Sequence, residues 1–262
     1  GKVFGFGMKM YLIGLMKHHP PQPLKILLTG SHGFIGHHLR KKLSQKYKVL
    51  YIDKKINKNL LYCNLNHNVD LVIHLAGYSG VRESFKNPFN YIINNIICSW
   101  RLFKQFKNTK ILYASSSTVK EPFKNPYAFS KYIVEKIAPS NTVGMRFTTV
   151  YGPKAPKNMF VPLLLKNKLK YVNKNYIRDF IHVEDVVSAI ETIIKKNYCK
   201  PTINMGSGDI YKLNKLEKFF KNVKFKKGNM FEMKNNMLNI KELKKLKWRK
   251  KNTLTKYISQ VL

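Results

Sequence analysis

Short apolar runs alternate with longer amphipathic stretches along the chain from Leu24 onward. The first run, at 25–28, is followed by a glycine turn and by a stretch in which apolar residues recur at helical spacing. Four further apolar runs are as short, at 49–52, 69–75, 110–114 and 142–147. Such runs are typical of buried parallel strands. With helices expected at 88–106 and 127–137, the alternation predicts an α/β fold built on a doubly wound parallel Rossmann sheet.

The pattern loosens after Gly152, where two further helices are expected at 161–169 and 183–194. The predicted parts are an N-terminal extension at 1–22, a nucleotide-binding Rossmann domain at 23–152, and a smaller, mainly substrate-binding C-terminal lobe at 153–262, with segments at about 181–205 returning to the Rossmann domain. Ligands of doubly wound sheets lie beyond the carboxyl ends of the strands. Residues of both parts should therefore face one cleft.

The N-terminal extension is apolar over its first 16 residues, although Lys2 and Lys9 interrupt it. It is too short to span a bilayer, and a proline-rich run at 20–23 separates it from the first strand. A targeting remnant, an interfacial anchor and a docking tail are all open interpretations.

Three glycines, Gly30, Gly33 and Gly36, follow the first strand and open the first helix. Such a turn brings backbone N–H groups and a helix N-terminus against a pyrophosphate. Asp53 ends the next strand about 20 residues on, as a ribose-binding carboxylate should. An ordinary glycine turn and a solvated loop acid are the alternatives. Together these residues favour NAD, because the charge of Asp53 would repel the 2′-phosphate of NADP.

A second group of residues, Ser116, Tyr127 and Lys131, predicts a catalytic site. Tyr127 and Lys131 are four residues apart on one face of a predicted helix. We expect the lysine to lower the pKa of the phenol, so that tyrosinate serves as a base near neutral pH. Ser116, after the strand at 110–114, could hydrogen-bond the same substrate oxygen. A common helical pair and a polar turn are the ordinary alternatives, and the order of all three residues favours catalysis.

These residues belong to a longer series of motifs. The series comprises Gly-x-x-Gly-Phe-Ile-Gly at 30–36, Val-Ile-His-Leu-Ala-Gly at 72–77, Asn95, the serine run at 115–117, Tyr-Ala-Phe-Ser-Lys at 127–131, Arg-Phe-Thr-Thr-Val-Tyr-Gly-Pro at 146–153, Arg-Asp-Phe-Ile-His-Val-Glu-Asp-Val at 178–186 and Asn-Met-Gly-Ser-Gly at 204–208. In this order they resemble the extended short-chain dehydrogenase/reductase family, the NAD-dependent sugar-nucleotide epimerases and dehydratases. The resemblance covers nearly everything from Lys25 to the C-terminus.

The resemblance implies a reaction at C4 of a nucleotide-linked hexose. Tyr127, as the base, and Ser116 would address the C4 hydroxyl, while Lys131 would also hold the nicotinamide ribose. Hydride would move between C4 and NAD. In the epimerases the 4-keto sugar receives the hydride on its other face, without net redox.

The resemblance also implies the binding residues. Besides the three glycines, Asp53, Tyr127 and Lys131, those on the cofactor side are Phe34, Ile35, Asn64, Leu65, Leu75, Ala76, Gly77, Asn95 and Ser115. Those on the substrate side are Arg82, Thr149, Arg178 and Lys226. Arg178 resembles the arginine that grips the nucleotide phosphate. No metal is expected.

Within the family, the 4,6-dehydratases carry an Asp-Glu pair directly after the catalytic hydroxyl residue. Ser117 and Thr118 stand there instead, which disfavours dehydration. The stretches at 80–84 and 149–153 look most like those of uronate-type UDP-sugar 4-epimerases, in which a basic pocket suits an anionic sugar.

The sequence departs from the family at the active-site rim and at two binding positions. Lys120 replaces a usual tyrosine, and the segment from there to Tyr127 is short. Asn64 replaces an aspartate that usually meets the adenine. Lys226 stands where an arginine would grip the pyrophosphate, giving charge without bidentate geometry.

Charge changes the expected set of partners. Lys and Arg number 49 against 13 Asp and Glu, a formal net charge of +36. Codon bias of an AT-rich genome accounts for part of this excess, and we also expect a polyanionic neighbour: nucleic acid, a membrane surface or a large assembly. The three cysteines are isolated, without disulfide or zinc spacing. We expect the cytoplasm, with an organelle such as the mitochondrion, or a virus-associated setting, as alternatives.

Three hypotheses for function follow. The first is an NAD-dependent 4-epimerase of a nucleotide sugar, expected to be a homodimer. The second is a 4-keto-sugar-nucleotide reductase that uses the same residues. The third is a non-catalytic NAD(P)-binding subunit of a large assembly, RNA-rich or membrane-bound, which the short rim and the charge favour.

Overall fold

The computed structural model describes residues 23–220 and 223–262, so the predicted N-terminal extension lies outside the described residues. Six parallel strands form the central sheet, in the order β2-β1-β3-β4-β5-β9. They are β1 (Lys25–Thr29), β2 (Lys48–Ile52), β3 (Leu71–His74), β4 (Lys110–Ser116), β5 (Thr142–Phe147) and β9 (Thr202–Met205). The order reverses between β1 and β3, as in a doubly wound sheet. The predicted Rossmann architecture is confirmed.

Helices cover both faces of this sheet. On one face lie α1 (Phe34–Leu43) and α6 (Val183–Lys195), whose buried Leu39, Leu43 and Ile190 pack on the strands. The other face carries α4 (Pro126–Ile137) and α3, which is built from consecutive helical pieces Pro88–Tyr91, Ile92–Ile97 and Cys98–Gln105. The middle piece is a π-helical turn, a feature often found at functional sites. A short helix, α2 (Val81–Lys86), precedes α3.

The C-terminal lobe has its own core and two small sheets. One sheet holds β6 (Thr149–Tyr151), β8 (Ile177–His182) and β10 (Ile210–Lys212), and the other holds β7 (Tyr171–Asn173) and β11 (Lys224–Lys226). The lobe also contains α5 (Phe160–Leu165), a 3-10 helix (Leu213–Phe219) and α8 (Leu254–Val261). Tyr151, Phe180 and Ile258 share its buried cluster. The lobe sheet thus begins four residues before position 153, where the sequence predicts the start of the lobe.

Parts of the C-terminal half return to the central sheet. As the sequence predicts for 181–205, α6 packs on the sheet and β9 pairs with β5. A later segment also returns to the main core. Leu243, in α7 (Lys241–Lys245), and the indole ring of Trp248 are buried there. The helix expected at 161–169 ends early, at Leu165, because Asn167 adopts a left-handed conformation (φ 52°). In the described part, no helix combines the length and apolarity needed to cross a membrane.

A buried carboxylate ties the returning C-terminal segment to α6. Asp185, buried near the start of α6, accepts hydrogen bonds from the backbone N–H groups of Lys251 (2.8 Å) and Asn252 (3.0 Å). Trp248 donates to Ser188 one turn further along the helix (2.9 Å). Two backbone donors of the returning segment are thereby satisfied by a buried carboxylate.

We expect Asp185→Asn to lower the free energy of unfolding by about 2 kcal/mol, because the single oxygen of the amide cannot take the place of both carboxylate oxygens and one backbone N–H loses its partner. The neighbouring Glu184 is exposed, so Glu184→Gln is the matched control and should cost less than about 1 kcal/mol. Urea denaturation of both variants measures the difference. Equal losses would contradict the role given to Asp185.

Candidate active site

The glycine turn after β1 packs against backbone that leaves no room for side chains. Gly30 has a φ of +70°, and a Cβ there would lie 2.6 Å from the backbone nitrogen of Ala76. A Cβ on Gly36 would collide with the carbonyl oxygen of Gly30. Helix α1 therefore starts directly at the carboxyl end of β1, with Gly33 as its N-cap. Its free N–H groups form a site for a pyrophosphate, so the residues present fit a dinucleotide cofactor.

Asp53 lies beside this turn, immediately after β2. Its Oδ2 accepts a hydrogen bond from the backbone N–H of His32 (2.8 Å), and its Oδ1 accepts one from the backbone N–H of Lys55 (2.9 Å). The pairing of Thr29 with Ile52 brings the ends of β1 and β2 together. Asp53 is thus a positioned carboxylate at the glycine turn, where the sequence places the ribose.

The end of β3 is fixed by a buried histidine. His74 contacts Thr29 Oγ1 through Nδ1 (2.7 Å) and Ser99 Oγ through Nε2 (2.9 Å). Burial, with a smaller contribution from the charge of Lys131, lowers the pKa of His74 to about 3, so the ring is neutral. The segment Leu75-Ala76-Gly77 follows directly, and its backbone lies against Gly30.

Asn95, in the π-helical turn of α3, connects this segment to the catalytic helix. Its Oδ1 accepts from the backbone N–H of Tyr78 (2.7 Å), and its Nδ2 donates to the carbonyl of Tyr78 (3.1 Å) and to Ser130 Oγ (2.9 Å). Ser130 in turn donates to the carbonyl of Tyr127 (2.8 Å). Asn95 and Ser130 thus connect the backbone after Gly77 with the backbone of Tyr127, and Ser130 is a link for which the sequence predicts no role.

Ser116 and Tyr127 meet at the carboxyl end of β4. Ser116 Oγ accepts hydrogen bonds from Thr118, from its N–H (3.2 Å) and from its Oγ1 (2.9 Å), which leaves the serine proton free to be donated. Burial raises the pKa of Tyr127, and the hydrogen bond from Ser116 acts in the opposite direction. A serine that donates to the phenol oxygen favours its ionised form. Thr118 stands where the 4,6-dehydratases carry an acidic residue, and in this structure it orients Ser116.

Lys131 lies one turn after Tyr127 on α4, and its side chain reaches the end of β4. Its buried ammonium donates to the carbonyl of Ala114 (2.8 Å), and burial lowers the pKa of Lys131 to about 8. That Lys131 lowers the pKa of Tyr127 stays a prediction. The pKa of the Tyr127 phenol is raised by burial and lowered by the hydrogen bond from Ser116. Lys131 does lie close to Gly77, since a Cβ there would be 3.5 Å from its Nζ.

Three of the expected cofactor residues have side chains that contact other parts of the protein. Ser115 points to the opposite side of β4 from Ser116. Its hydroxyl donates to Glu135 (2.5 Å), which also pairs with Arg146 (2.6 Å), so the hydroxyl does not face the site. Leu65 is buried in the core below β1, and the exposed Asn64 accepts from the N–H of Asn66 (2.8 Å).

The apolar members of the expected cofactor set are partly buried. Phe34, Ile35 and Leu75 pack on the core that α1 and α6 share, and Ala76 packs on the core of the other face. Their side chains set the height of the loops above the sheet. Their backbone is what lies at the edge of the glycine turn.

Three of the four expected substrate residues, Arg82, Arg178 and Lys226, lie around one carboxylate and one aromatic ring. Arg82 pairs with Glu232 (Nε to Oε1, 3.1 Å), and Glu232 also accepts from Asn173 (3.0 Å). Arg82 and Lys226 stack on the ring of Tyr171, at 5.3 and 4.7 Å from its centre.

Arg178 donates to the carbonyls of Ile177 (2.8 Å) and Lys234 (3.0 Å). Burial lowers its pKa, while the charge of Glu232 acts in the opposite direction. Thr149 accepts from Asn236 (2.9 Å). Glu232 follows the Lys-Gly-Asn segment at 227–229 and belongs to no recognisable motif. The sequence therefore does not predict its position beside these basic residues.

Known proteins resemble this chain in sequence. The model of the NAD dependent epimerase/dehydratase family matches residues 26–206. A putative UDP-glucose 4-epimerase of Methanocaldococcus jannaschii is 26% identical, with 90% of this chain and 97% of that protein aligned.

Two solved structures show the same fold. UDP-glucuronic acid 4-epimerase from Bacillus cereus, in complex with UDP-glucuronic acid and NAD, has a TM-score of 0.75 at 23% identity, covering 91% of this chain and 100% of that one. TunA, an NAD-dependent NDP-hexosamine 5,6-dehydratase involved in tunicamycin biosynthesis, has a TM-score of 0.78 at 23% identity, covering 90% and 96%.

The fold and the glycine turn define a Rossmann protein that binds a dinucleotide. The chain belongs to the NAD dependent epimerase/dehydratase family, within the extended short-chain dehydrogenases/reductases. Its cofactor is NAD, and its class is that of the NAD-dependent sugar-nucleotide epimerases and dehydratases.

The packing of the glycine turn predicts different effects for alanine at Gly36 and at Gly33. We expect Gly36→Ala to cost about 2 kcal/mol of stability or more and to weaken NAD binding, because its methyl meets the backbone of Gly30. Gly33→Ala should cost less than about 1 kcal/mol, since Gly33 has a φ of −73° and its Cβ would lie 3.2 Å from the same carbonyl. Thermal unfolding and NAD titration of both variants measure this. Equal destabilisation would refute the packing argument.

Proposed function

We propose that the protein is an NAD-dependent epimerase acting at C4 of a UDP-linked sugar. The observation that carries the proposal is the meeting of Ser116, Tyr127 and Lys131 next to Gly77. The site sits between the carboxyl ends of β3 and β4, where ligands of doubly wound sheets bind. Family membership supports the class of reaction.

NAD supplies reversible hydride acceptance when it is bound along Gly30–Gly36 and Asp53. Tyr127 accepts the proton of the C4 hydroxyl and later returns it. Ser116 donates to the phenol oxygen, which favours the ionised form that a base requires, and Thr118 keeps the serine in that orientation. Lys131, with a pKa lowered to about 8, supplies an ammonium that holds the ribose near Gly77 below that pH.

An anionic sugar suits the lobe side of the cleft. Arg82, Arg178 and Lys226 outnumber the single carboxylate of Glu232, so the region carries a net positive charge. The diphosphate of a nucleotide sugar would match part of this positive charge, and the carboxylate of a uronate would supply one more negative charge. The similarity to a UDP-glucuronic acid 4-epimerase supports UDP-glucuronate as the first substrate to test.

Epimerisation is favoured over dehydration by the residues around Ser116. Ser117 and Thr118 offer no carboxylate to eliminate water. The next acid along the chain, Glu121, pairs with Lys124 (2.8 Å). A 4-keto-sugar reductase and a non-catalytic NAD-binding subunit remain the competing hypotheses, and the assay below separates them.

We expect chromatography of UDP-glucuronate, UDP-glucose and UDP-N-acetylglucosamine, each incubated with the protein and NAD, to show C4 inversion of at least one. Tyr127→Phe removes the base and should lower kcat by about 10³-fold. Tyr132→Phe is the matched control, because this tyrosine is on the same helix and packs against Phe123 and Lys136. Net consumption of NADH would indicate a reductase, and no turnover of any of the three sugars would sink the proposal.

We further propose that the active form is a homodimer joined through α3 and α4. The two helices pack side by side, and their outer faces expose large apolar side chains: Phe89, Ile92, Ile97, Trp100, Phe129 and Ile137. Patches of this kind mark association sites, and a second copy of the same face is the simplest partner.

Light scattering after size exclusion should therefore give a dimeric mass. Trp100, which is 51% exposed, lies within the patch, and Trp100→Glu should shift the protein to monomer. Tyr62→Glu is the control, since Tyr62 is 78% exposed and lies outside α3 and α4. A monomeric wild type, or equal dissociation by both variants, would overturn the dimer.

A further inference from the structure

The end of the central sheet opposite the glycine turn carries a row of lysines. Three strands begin with one: Lys25 starts β1, Lys48 starts β2 and Lys110 starts β4. Because the strands are parallel, these residues lie at the amino end of the sheet, whereas the cofactor site lies at its carboxyl end. Lys25 and Lys48 are register partners in adjacent strands, so their side chains leave the same face of the sheet.

The two helices on the α1 face add cations at the same end. Since α1 leads into β2 and α6 leads into β9, both helices end near the amino ends of the strands. Lys46 follows α1 and pairs with Glu191 near the end of α6 (3.4 Å), so the two helix ends are adjacent. Lys195 ends α6 and Lys196 follows it, and both are exposed. The basal face is defined by six lysines: Lys25, Lys46, Lys48, Lys110, Lys195 and Lys196.

Neighbouring acids do not balance the charge of the basal face. Lys110 donates to the neutral side chain of Asn197 (2.7 Å). Within residues 23–220 and 223–262, one of the six lysines forms an ion pair, with Glu191. Asp70 accepts from the backbone N–H of Lys25 (2.7 Å). Two carboxylates against six ammonium groups leave four positive charges in excess, and an anionic partner would relieve their repulsion.

The basal face is long. Neighbouring strands lie about 4.8 Å apart, so β2 and β9, which are five spacings apart in the sheet, are separated by about 24 Å. A single phosphate group would meet only a small part of this row. A nucleic acid duplex carries one negative charge about every 1.7 Å of its axis. An extended chain of phosphates therefore matches the basal face.

Apolar side chains contribute little to the basal face. The segments 44–48, 106–110 and 194–200 expose no large apolar residue, and Leu24, directly before β1, is 42% exposed. One leucine supplies neither the apolar surface that enters a membrane nor the aromatic platforms on which unpaired bases stack. The partner would thus be held through its phosphates, which are the groups that a double helix presents on its outside.

We propose that the basal face binds the phosphate backbone of a double-stranded nucleic acid, without preference for base sequence. Flexible lysine side chains suit this task, because a compact ammonium meets phosphate oxygens without a fixed geometry. The cofactor site, at the other end of the strands, stays open while the duplex is bound. The proposal holds or fails independently of the reaction at the active site.

Fluorescence anisotropy of labelled DNA and RNA duplexes of about 20 base pairs tests the proposal with the full chain, at salt concentrations from about 50 to about 200 mM. We expect binding of at least one duplex at low salt. The logarithm of its association constant should fall against the logarithm of the salt concentration with a slope of about −3 or steeper. Combining Lys48→Gln, Lys195→Gln and Lys196→Gln should weaken binding at low salt by about tenfold or more and make the slope shallower by about 2 to 3.

The matched control combines Lys166→Gln, Lys168→Gln and Lys215→Gln, which removes the same charge from three exposed lysines of the lobe. It should change the duplex affinity by less than about threefold and the slope by less than about 1. NAD titration and thermal unfolding should give wild-type values for both variants, because the site at the glycine turn is unchanged. If the basal triple variant does not fold, each of its single substitutions should make the slope shallower by about 1.

No binding of either duplex at about 50 mM salt would overturn the proposal. Equal weakening by the two triple variants would also overturn it, because it would mean a general effect of net charge. Tighter binding of a single strand of the same length would mean that base stacking holds the ligand. Binding to vesicles of phosphatidylcholine and phosphatidylserine in equal parts, without binding to either duplex, would assign the basal face to a membrane surface instead.

Discussion

The close approach of the Gly30 turn to the backbone of Ala76 is the constraint on which the rest of the structure depends. It brings the ends of β1 and β3 into contact, and Gly36 lets α1 begin directly above the turn. The helix N-terminus, the carboxylate of Asp53 and the Gly77 segment then share one edge of the sheet. A single side chain at Gly30 would separate all three, so the cofactor site depends on backbone packing more than on any side-chain contact.

The catalytic end of the site is held by hydrogen bonds that run from this edge into α4. Asn95 holds the segment after Gly77 and reaches Ser130, which holds the backbone of Tyr127. Thr118 holds Ser116 against the phenol from the other side. The position and proton affinity of Tyr127 are therefore set by neutral partners and burial. Burial disfavours the ammonium form of Lys131, whose Nζ lies beside Gly77 and donates to the carbonyl of Ala114.

Much of this arrangement could be predicted from the sequence, because glycine spacing and short apolar runs report backbone requirements directly. The parallel sheet, the turn at Gly30 and the position of Asp53 follow from such local signals. Side-chain direction does not, because neighbouring strand residues point to opposite faces. Ser115 and Ser116 look equivalent in the sequence, yet one binds Glu135 and the other faces Tyr127. Glu232 enters the site from a loop far along the chain, through contacts that only the packed lobe creates.

The central claim is that the chain inverts C4 of a nucleotide sugar within a closed NAD site, and proton NMR in D₂O tests it most directly. The account predicts that UDP-glucuronate, or another UDP-sugar that the protein turns over, yields the C4 epimer with its carbon-bound hydrogen retained at C4, because that hydrogen leaves and returns without meeting solvent. Deuterium at a sugar carbon of the product, or inversion at a carbon other than C4, would contradict the account.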